Sequence, residues 1–308
     1  MSNRTCQQGR WWATVGVWLT LGILFVAGFV KASTTEALIF ATKYPLAYFA
    51  QRIAGPEIRI VQPETPADRS PWRPTLDEIQ TMQRARIILT DDPARESWLD
   101  LVALRVDQVV DTTENISGEL IPAKGETTHT HGLTGSHSHG ASAENPWLDP
   151  TLAVAQAKAI AEAMDRRGLA DGSTLAPRLR ALEIDLLALD GELQAIASDA
   201  DGILFLAAAP AYEYLARRYG LRIQFMEWEG AVHRSDATRQ YLEKLRRDHR
   251  AIRMIWPEAP AIDDVAFLRE IGIDSLIIDP LSTGPASGDF LTVMHRNVEE
   301  LRRTLDQR

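Results

Sequence analysis

The segment LAPRLRALEIDLLALDGELQAI, residues 175–196, decides the fold because it carries the most regular helical pattern in the chain. Its large apolar residues recur at alternating spacings of four and three: Leu175, Leu179, Leu182, Leu186, Leu189, Leu193 and Ile196. These positions share one face of an α-helix, and Pro177 requires the helix to begin within one turn of it. The stripe would also suit a coiled-coil dimer, but three heptads are short for one. The pattern favours a long rigid helix that packs on a lobe at either side.

The sequence on both sides of this helix alternates between strand and helix patterns. Strands are predicted at 37–41, 57–62, 85–90, 108–111, 203–208, 223–227, 252–256 and 275–279. Helices are predicted at 45–53, 75–84, 96–105, 212–219, 237–249, 263–271 and 289–305. This alternation is typical of parallel sheets flanked by helices. We therefore predict an α/β protein with an N-terminal lobe at 33–172, a linking helix at 173–198 and a C-terminal lobe at 199–308.

The N-terminus has the pattern of an export signal. Arg4 and Arg10 precede an uncharged, largely apolar stretch at 11–30, and small residues follow it. Residues 1–32 are therefore predicted to be a signal peptide cleaved before Ser33. The apolar stretch also has the ~20 residues needed to cross a bilayer, so a retained signal anchor that contacts the inner membrane is the alternative. Both alternatives place the rest of the chain in the periplasm or another extracytoplasmic space.

Composition narrows the classes of partner and activity. The formal net charge of −9 disfavours nucleic acid and favours cations. The chain has one cysteine, so no internal disulfide is predicted. We find no phosphate-binding glycine loop, nucleophile elbow or cysteine-based zinc motif, and no pair of catalytic acids stands out. An enzyme is therefore not predicted, and the chain is expected to be a monomer.

Residues 126–140, ETTHTHGLTGSHSHG, hold four of the seven histidines in the chain. These are His129, His131, His137 and His139. Neutral imidazoles are good ligands for Zn²⁺, Ni²⁺ and Cu²⁺, and the surrounding residues are mostly small or polar. We interpret the segment as a metal-collecting loop that binds Zn²⁺ weakly. The alternative is a solvated linker whose histidines are incidental.

Six short segments, in the same order, resemble the zinc- and manganese-binding solute receptors of bacterial ABC importers. They are ATKYPLAYFAQRIAG (41–55), WRPTLDEI (72–79), WLDP (147–150), YLARRYGL (214–221), IWPE (255–258) and IDPL (278–281). The resemblance runs from residue 36 to 305 and includes a His-rich insertion before Trp147, as in many zinc members. It implies two α/β lobes joined by a rigid helix, with a metal held between them and delivered to an ABC permease in the inner membrane.

The chain departs from that family at the positions of the metal ligands. The resemblance implies a histidine from each of two loops of the first lobe, a histidine or glutamate from the second lobe, and a final aspartate. The corresponding positions here are Ser70, Asn145, Ala209 and Asp279. Neutral oxygens hold zinc poorly and a methyl group offers no ligand. The usual interlobe site is therefore predicted to be absent or weak, and Asp279 can equally be a strand-end aspartate bonded to loop amides.

Other side chains could rebuild a site between the lobes. The candidates are Glu144, Asp149, Glu227, His233 and Glu258. An oxygen-rich set would prefer harder cations such as Mn²⁺ or Ca²⁺, although Asp149 before Pro150 is also a natural helix N-cap. Four tryptophans are expected to pack between the lobes in preference to forming a ligand cage: Trp72, Trp147, Trp228 and Trp256.

The predicted function is capture of zinc through the His-rich loop, for an ABC-type importer or a periplasmic partner. One alternative is a receptor whose cleft holds a harder cation, such as Mn²⁺, or a small chelate. The other is an interaction or adhesion protein that uses the same fold and transports nothing.

Overall fold

The computed structural model of the chain describes residues 37–63, 72–123, 143–226, 228, 230–249 and 251–306. The chain divides into two compact units, Met1–Thr35 and Glu36–Arg308, and all elements below belong to the second. The predicted signal segment and the His-rich loop lie outside the described residues. Within the described part, no helix is long and apolar enough to span a membrane.

The first lobe is built on a four-stranded parallel sheet with the order β2-β1-β3-β4. Its strands are β1 (Leu38–Ala41), β2 (Arg59–Val61), β3 (Ile87–Thr90) and β4 (Val109–Asp111). β1 and β3 are buried on both faces, which explains their continuous apolar runs. The helices of this lobe are α1 (Tyr44–Ala54), α2 (Leu76–Arg84) and α3 (Pro150–Arg166).

The second lobe repeats this topology with the order β6-β5-β7-β8, again with every neighbouring pair parallel. Its strands are β5 (Ile203–Ala207), β6 (Arg222–Phe225), β7 (Ala251–Trp256) and β8 (Asp274–Ile277). Its helices are α5 (Glu213–Tyr219), α6 (Asp236–Asp248), α7 (Ile262–Ile271) and α8 (Phe290–Asp306). The predicted fold class, two lobes that each contain a parallel sheet flanked by helices, is confirmed.

A long helix, α4 (Gly172–Ala197), joins the lobes. Six residues of its predicted stripe are buried and Leu179 is partly buried. The helix contacts α1 and α3 in the first lobe, and α5 and α8 in the second. Asp171 caps its first turn, because its carboxylate accepts a hydrogen bond from the Thr174 amide at 3.1 Å. This cap places Pro177 in the second turn and not in the first, contrary to the sequence-based expectation.

The predicted helix at 96–105 is wrong. Within that range the chain forms one short 3₁₀ turn, Leu99–Leu101, and another, Pro93–Arg95, directly precedes the range. The buried Trp98 indole donates to the carboxylate of Glu96, only two residues away, which is a local bond that a continuous helix would not allow. The segment is therefore not a continuous helix, and Trp98 is buried against the first sheet.

Candidate interlobe site

Two of the predicted ligand positions lie in loops at the carboxyl ends of strands, where parallel α/β sheets usually bind ligands. Ala209 follows β5 and Asp279 follows β8. Asn145 precedes the 3₁₀ turn Pro146–Leu148 that leads into α3. Ser70 lies outside the described residues.

Asn145 bonds directly to the opposite lobe. Its side chain is almost fully buried, with 1% of its surface exposed. Its Nδ2 donates to the carbonyl of Ala211 at 3.2 Å, and its Oδ1 accepts from Ser282 Oγ at 2.8 Å. The backbone is left-handed, with φ 64° and ψ 54°, a conformation that asparagine tolerates better than most residues. The position at which the family resemblance implies a metal ligand is therefore occupied by an asparagine that forms hydrogen bonds between the lobes.

Trp147 adds a second contact beside Asn145. Its buried indole Nε1 donates to the carbonyl of Pro280 at 2.7 Å. The loop that receives these bonds is held in turn by Tyr212, whose hydroxyl donates to the carbonyl of Ile278 at 2.8 Å. We call the three bonds Asn145–Ala211, Asn145–Ser282 and Trp147–Pro280 the interlobe hydrogen bonds.

Asp279 is bound within its own loop. Its Oδ1 accepts from the Leu281 amide at 2.8 Å, and its backbone bonds to the side chain of Asn297 on α8. Burial raises the pKa of the Asp279 carboxyl above its ordinary value; the Leu281 amide and Arg296 oppose the rise, and the charge of Glu258 adds to it. The carboxylate therefore has the bonded, strand-end role that the sequence left open.

The alternative cleft ligands are dispersed over separate contacts. Asp149 caps α3, since its Oδ1 accepts from the Thr151 amide at 3.0 Å, and it lies 3.7 Å from Arg218. Glu144 forms an exposed ion pair with Arg95. The ring of His233 stacks on Trp228 with 5.4 Å between centroids, Glu258 is exposed, and Glu227 lies outside the described residues.

Within the described ranges, no group of three or more His, Cys, Asp or Glu side chains is placed to hold a metal ion. Ala209 contributes only a methyl group at its position. Among the predicted ligand positions that the structure describes, a carboxylate remains only at Asp279. The described part of the cleft therefore contains direct hydrogen bonds between the lobes, where the resemblance would place ligands.

Asp91 is a residue at this edge that the sequence patterns did not predict. It follows β3 and is almost completely buried, and its Oδ1 has no hydrogen-bond partner within the described part. Burial raises the pKa of its carboxyl to about 6. The signal in the sequence was a pair of aspartates directly after a buried strand, at Asp91 and Asp92.

The expectation that all four tryptophans pack between the lobes is wrong for three of them. Trp147 makes the interlobe bond given above. Trp72 packs within the first lobe, edge-on against Trp98 with 5.1 Å between ring centroids. Trp228 and Trp256 pack edge-on against each other in the second lobe, 5.6 Å apart. The sequence could not distinguish packing within a lobe from packing between lobes.

Two parallel-sheet lobes with the same topology, joined by one long helix and contacting each other at their loops, define a two-lobed solute-receptor fold. Residues 39–304 match the family described as zinc-uptake complex component A, periplasmic (ZnuA). The chain belongs to this family. Zinc-binding protein AdcA of Streptococcus pyogenes serotype M3 is 22% identical over 292 residues, covering 87% of this chain and 56% of the relative. The chain thus spans about half the length of the curated relatives that it matches.

Solved structures show the same fold. The metal-dependent lipoprotein YcdH from Bacillus subtilis has a TM-score of 0.73 and 18% identity, covering 87% of this chain and 98% of that one. The Zn(II)-bound ZnuA-like domain of Streptococcus pneumoniae AdcA has a TM-score of 0.71 and 19% identity, with 88% and 100% covered. The Ni²⁺ complex of FpvC from Pseudomonas aeruginosa has a TM-score of 0.68 and 17% identity, with 88% and 97% covered.

Proposed function

We propose that this chain captures zinc outside the cytoplasm with the His-rich loop, residues 126–140, and that its two lobes serve as a docking body. The partner is an ABC permease in the inner membrane or another metal-accepting protein. The observation that supports this proposal is the bonding of Asn145, whose amide joins the two lobes at a position where the family resemblance implies a metal ligand.

Zinc chemistry argues against capture between the described loops. Zn²⁺ takes four nitrogen, sulfur or carboxylate ligands in a closed site, and Asp279 offers one carboxylate. An ion held at the position of Asn145 would also displace the two hydrogen bonds of its amide, which contribute about 1 kcal/mol each. Without the other ligands, nothing in the described cleft offsets that loss.

The loop provides the missing nitrogen ligands. Its four imidazoles lie within eleven residues of one another, from His129 to His139. Neutral imidazole binds Zn²⁺, whereas protonation below pH ~6.5 removes the lone pair, so capture weakens in acid. Weak binding through a few histidines also lets the ion leave quickly for a partner. The segment 1–32, cleaved or retained as an anchor, would place this loop outside the cytoplasm.

A receptor for a harder cation is the second candidate, and one observation favours it. Asp91 Oδ1 and Gln156 Oε1 are buried oxygens without hydrogen-bond partners among the described residues, and both lie in the first lobe. Mn²⁺ and Ca²⁺ prefer such oxygen ligands. Titration of the loop-deleted chain with Mn²⁺ separates this candidate from zinc capture, because only a cleft site would survive the deletion.

The transport role is tested in cells that lack the gene and grow under zinc chelation. The full chain should restore zinc accumulation and growth, whereas the same chain without residues 126–140 should restore neither at equal protein level. A chain in which Asp279 is replaced by alanine is the matched control and should restore both. If the deleted chain restores zinc accumulation fully, the collecting loop is refuted. If the full chain itself has no effect, the interaction-protein alternative is favoured.

A further inference from the structure

The outward face of α4 is apolar over most of its length. This face lies opposite the buried stripe and includes two large hydrophobic side chains, Ile184 and Leu187, that are 60% and 51% exposed. The exposed residues from the second turn onward are Ala176, Pro177, Arg180, Ala181, Ile184, Leu187, Ala188, Gly191, Gln194 and Ala195. Only two of them are polar. A solvent-facing helix surface normally carries charged and polar residues, so this face has the composition of a contact surface.

Within the described residues, Gly191 on this face is not closely approached by another part of the fold. No atom lies within 4 Å of the place where a side chain at Gly191 would begin, and its φ is not positive. A glycine inside a helix costs roughly 0.5–1 kcal/mol relative to alanine. The fold of a single copy therefore gives no reason for glycine here, whereas close approach by another molecule does.

Two charges lie symmetrically along the same helix. Arg180 is exposed and makes no ion pair within the described part of the chain. Glu192 is 41% exposed at its side chain and approaches His295 at 3.3 Å. The two residues are each six positions from Leu186. A surface with a cation at one end and an anion at the other is complementary to a second copy of itself in the antiparallel orientation.

We propose that the outward face of α4 is a self-association surface, on which α4 of a second copy packs antiparallel about a two-fold axis near Leu186. Arg180 then lies opposite Glu192 of the second copy, and Ile184 lies opposite Ala188 of the second copy. Ala181 meets Gly191 in the same way, and Leu187 lies close to the axis. The large side chain of Ile184 is thus matched by a small one, as helix packing at short interaxial distance requires.

This inference differs from the sequence-based expectation of a monomer. The leucine pattern indicated one apolar stripe on α4, which the two lobes cover. It did not indicate that the outward face of α4 is also apolar. The proposal does not depend on zinc, on the His-rich loop or on the interlobe hydrogen bonds. The compact unit 36–308 is suitable for testing it, because its three hydrophobic clusters are formed entirely by its own residues.

Sedimentation equilibrium of residues 36–308 tests the apolar part of the surface. The unmodified unit should form a dimer as concentration rises, and Leu187→Glu should raise the dimer Kd by about tenfold or more, as loss of a central apolar contact does. Leu76→Glu is the matched control, because Leu76 is 78% exposed on α2, outside this face, and it should leave the Kd unchanged. A unit that remains monomeric at ~0.5 mM has no dimer Kd below about 1 mM and overturns the proposal.

A charge exchange tests the antiparallel geometry. Arg180→Glu and Glu192→Arg should each raise the dimer Kd, because each places like charges opposite each other. The double variant should return the Kd to that of the unmodified unit, because each new glutamate again faces a new arginine. Circular dichroism should show that all three variants remain folded. A double variant that is weaker than both single variants overturns the antiparallel arrangement.

Discussion

Replacing Asn145 with alanine should loosen the contact between the two lobes. The substitution removes the bonds to Ala211 O and Ser282 Oγ, which are 3.2 and 2.8 Å long. It also leaves the Ala211 carbonyl without its partner in a buried setting, whereas Ser282 is only partly buried. The neighbouring Trp147–Pro280 bond should remain, since it comes from a different side chain.

The expected loss of stability follows from these contacts. Two hydrogen bonds at about 1 kcal/mol each contribute about 2 kcal/mol. Alanine at φ 64° adds roughly 1 kcal/mol, because a Cβ disfavours left-handed backbone. The free energy of unfolding should therefore fall by about 3 kcal/mol. Asn145→Gly is the matched variant, since it loses the same hydrogen bonds and tolerates the left-handed backbone.

Urea unfolding of residues 36–308, followed by circular dichroism, measures these losses. Ser282→Ala removes only the hydroxyl partner, and the double variant with Asn145→Ala completes a double-mutant cycle. The cycle should give a coupling energy of about 1 kcal/mol between the two side chains. An unfolding free energy for Asn145→Ala within about 0.5 kcal/mol of the unmodified unit, or a coupling energy of zero, would refute the role assigned to this residue.

Three further predictions follow from burial and charge. Asp91→Asn should stabilise the fold by up to about 3 kcal/mol above pH 6. Folding raises the pKa of the Asp91 carboxyl from 3.8 to about 6, and each pKa unit of that rise costs about 1.4 kcal/mol of stability when the carboxyl is ionised. The stability of the unmodified chain should correspondingly fall as pH rises from about 4 to 6, and urea titrations of both chains at pH 4 and 7 should show the gain only at pH 7. Asp279→Ala should leave zinc affinity unchanged in calorimetry, and loss of high-affinity binding would reveal a working interlobe site. Leu186→Ala, in the buried stripe of α4, should cost ~2–5 kcal/mol in urea unfolding, whereas Leu76→Ala at an exposed position should cost under ~0.5 kcal/mol.

The parts of the fold that could be predicted are those with a strong local pattern. The α4 stripe keeps the period of a helix through seven apolar positions spread over residues 175–196. The continuous apolar runs of β1 and β3 are typical of strands buried on both faces. The 3₁₀ turns at 93–101 could not be predicted, because their cause is the burial of Trp98 against a sheet formed by distant residues. The predicted start of the linking helix, residue 173, lies one residue from the observed start at Gly172, but the cap at Asp171 places Pro177 in the second turn despite the preference of proline for a first turn.

The candidate site could be predicted only in part, because hydrogen bonds between lobes join residues far apart in the sequence. The substitutions at Asn145 and Ala209 are visible from their flanking motifs, but the bond from Ser282 to Asn145 spans 137 residues and has no sequence pattern. The same holds for Asp91, whose raised pKa depends on the burial that the folded lobe creates. The outward face of α4 could not be predicted for a different reason, because its alanines and glycine do not form a strong apolar pattern in the sequence.

A zinc titration of the chain with and without residues 126–140 tests the central claim most directly. Calorimetry near neutral pH, combined with metal analysis after dialysis, should show that the deletion removes most of the bound zinc. Circular dichroism should show that it leaves the fold unchanged. Small-angle scattering should show no zinc-induced compaction of the lobes in either form, because the interlobe hydrogen bonds join them without a metal. Unchanged zinc stoichiometry in the deleted chain, together with compaction on adding zinc, would contradict capture by the loop and place the metal between the lobes.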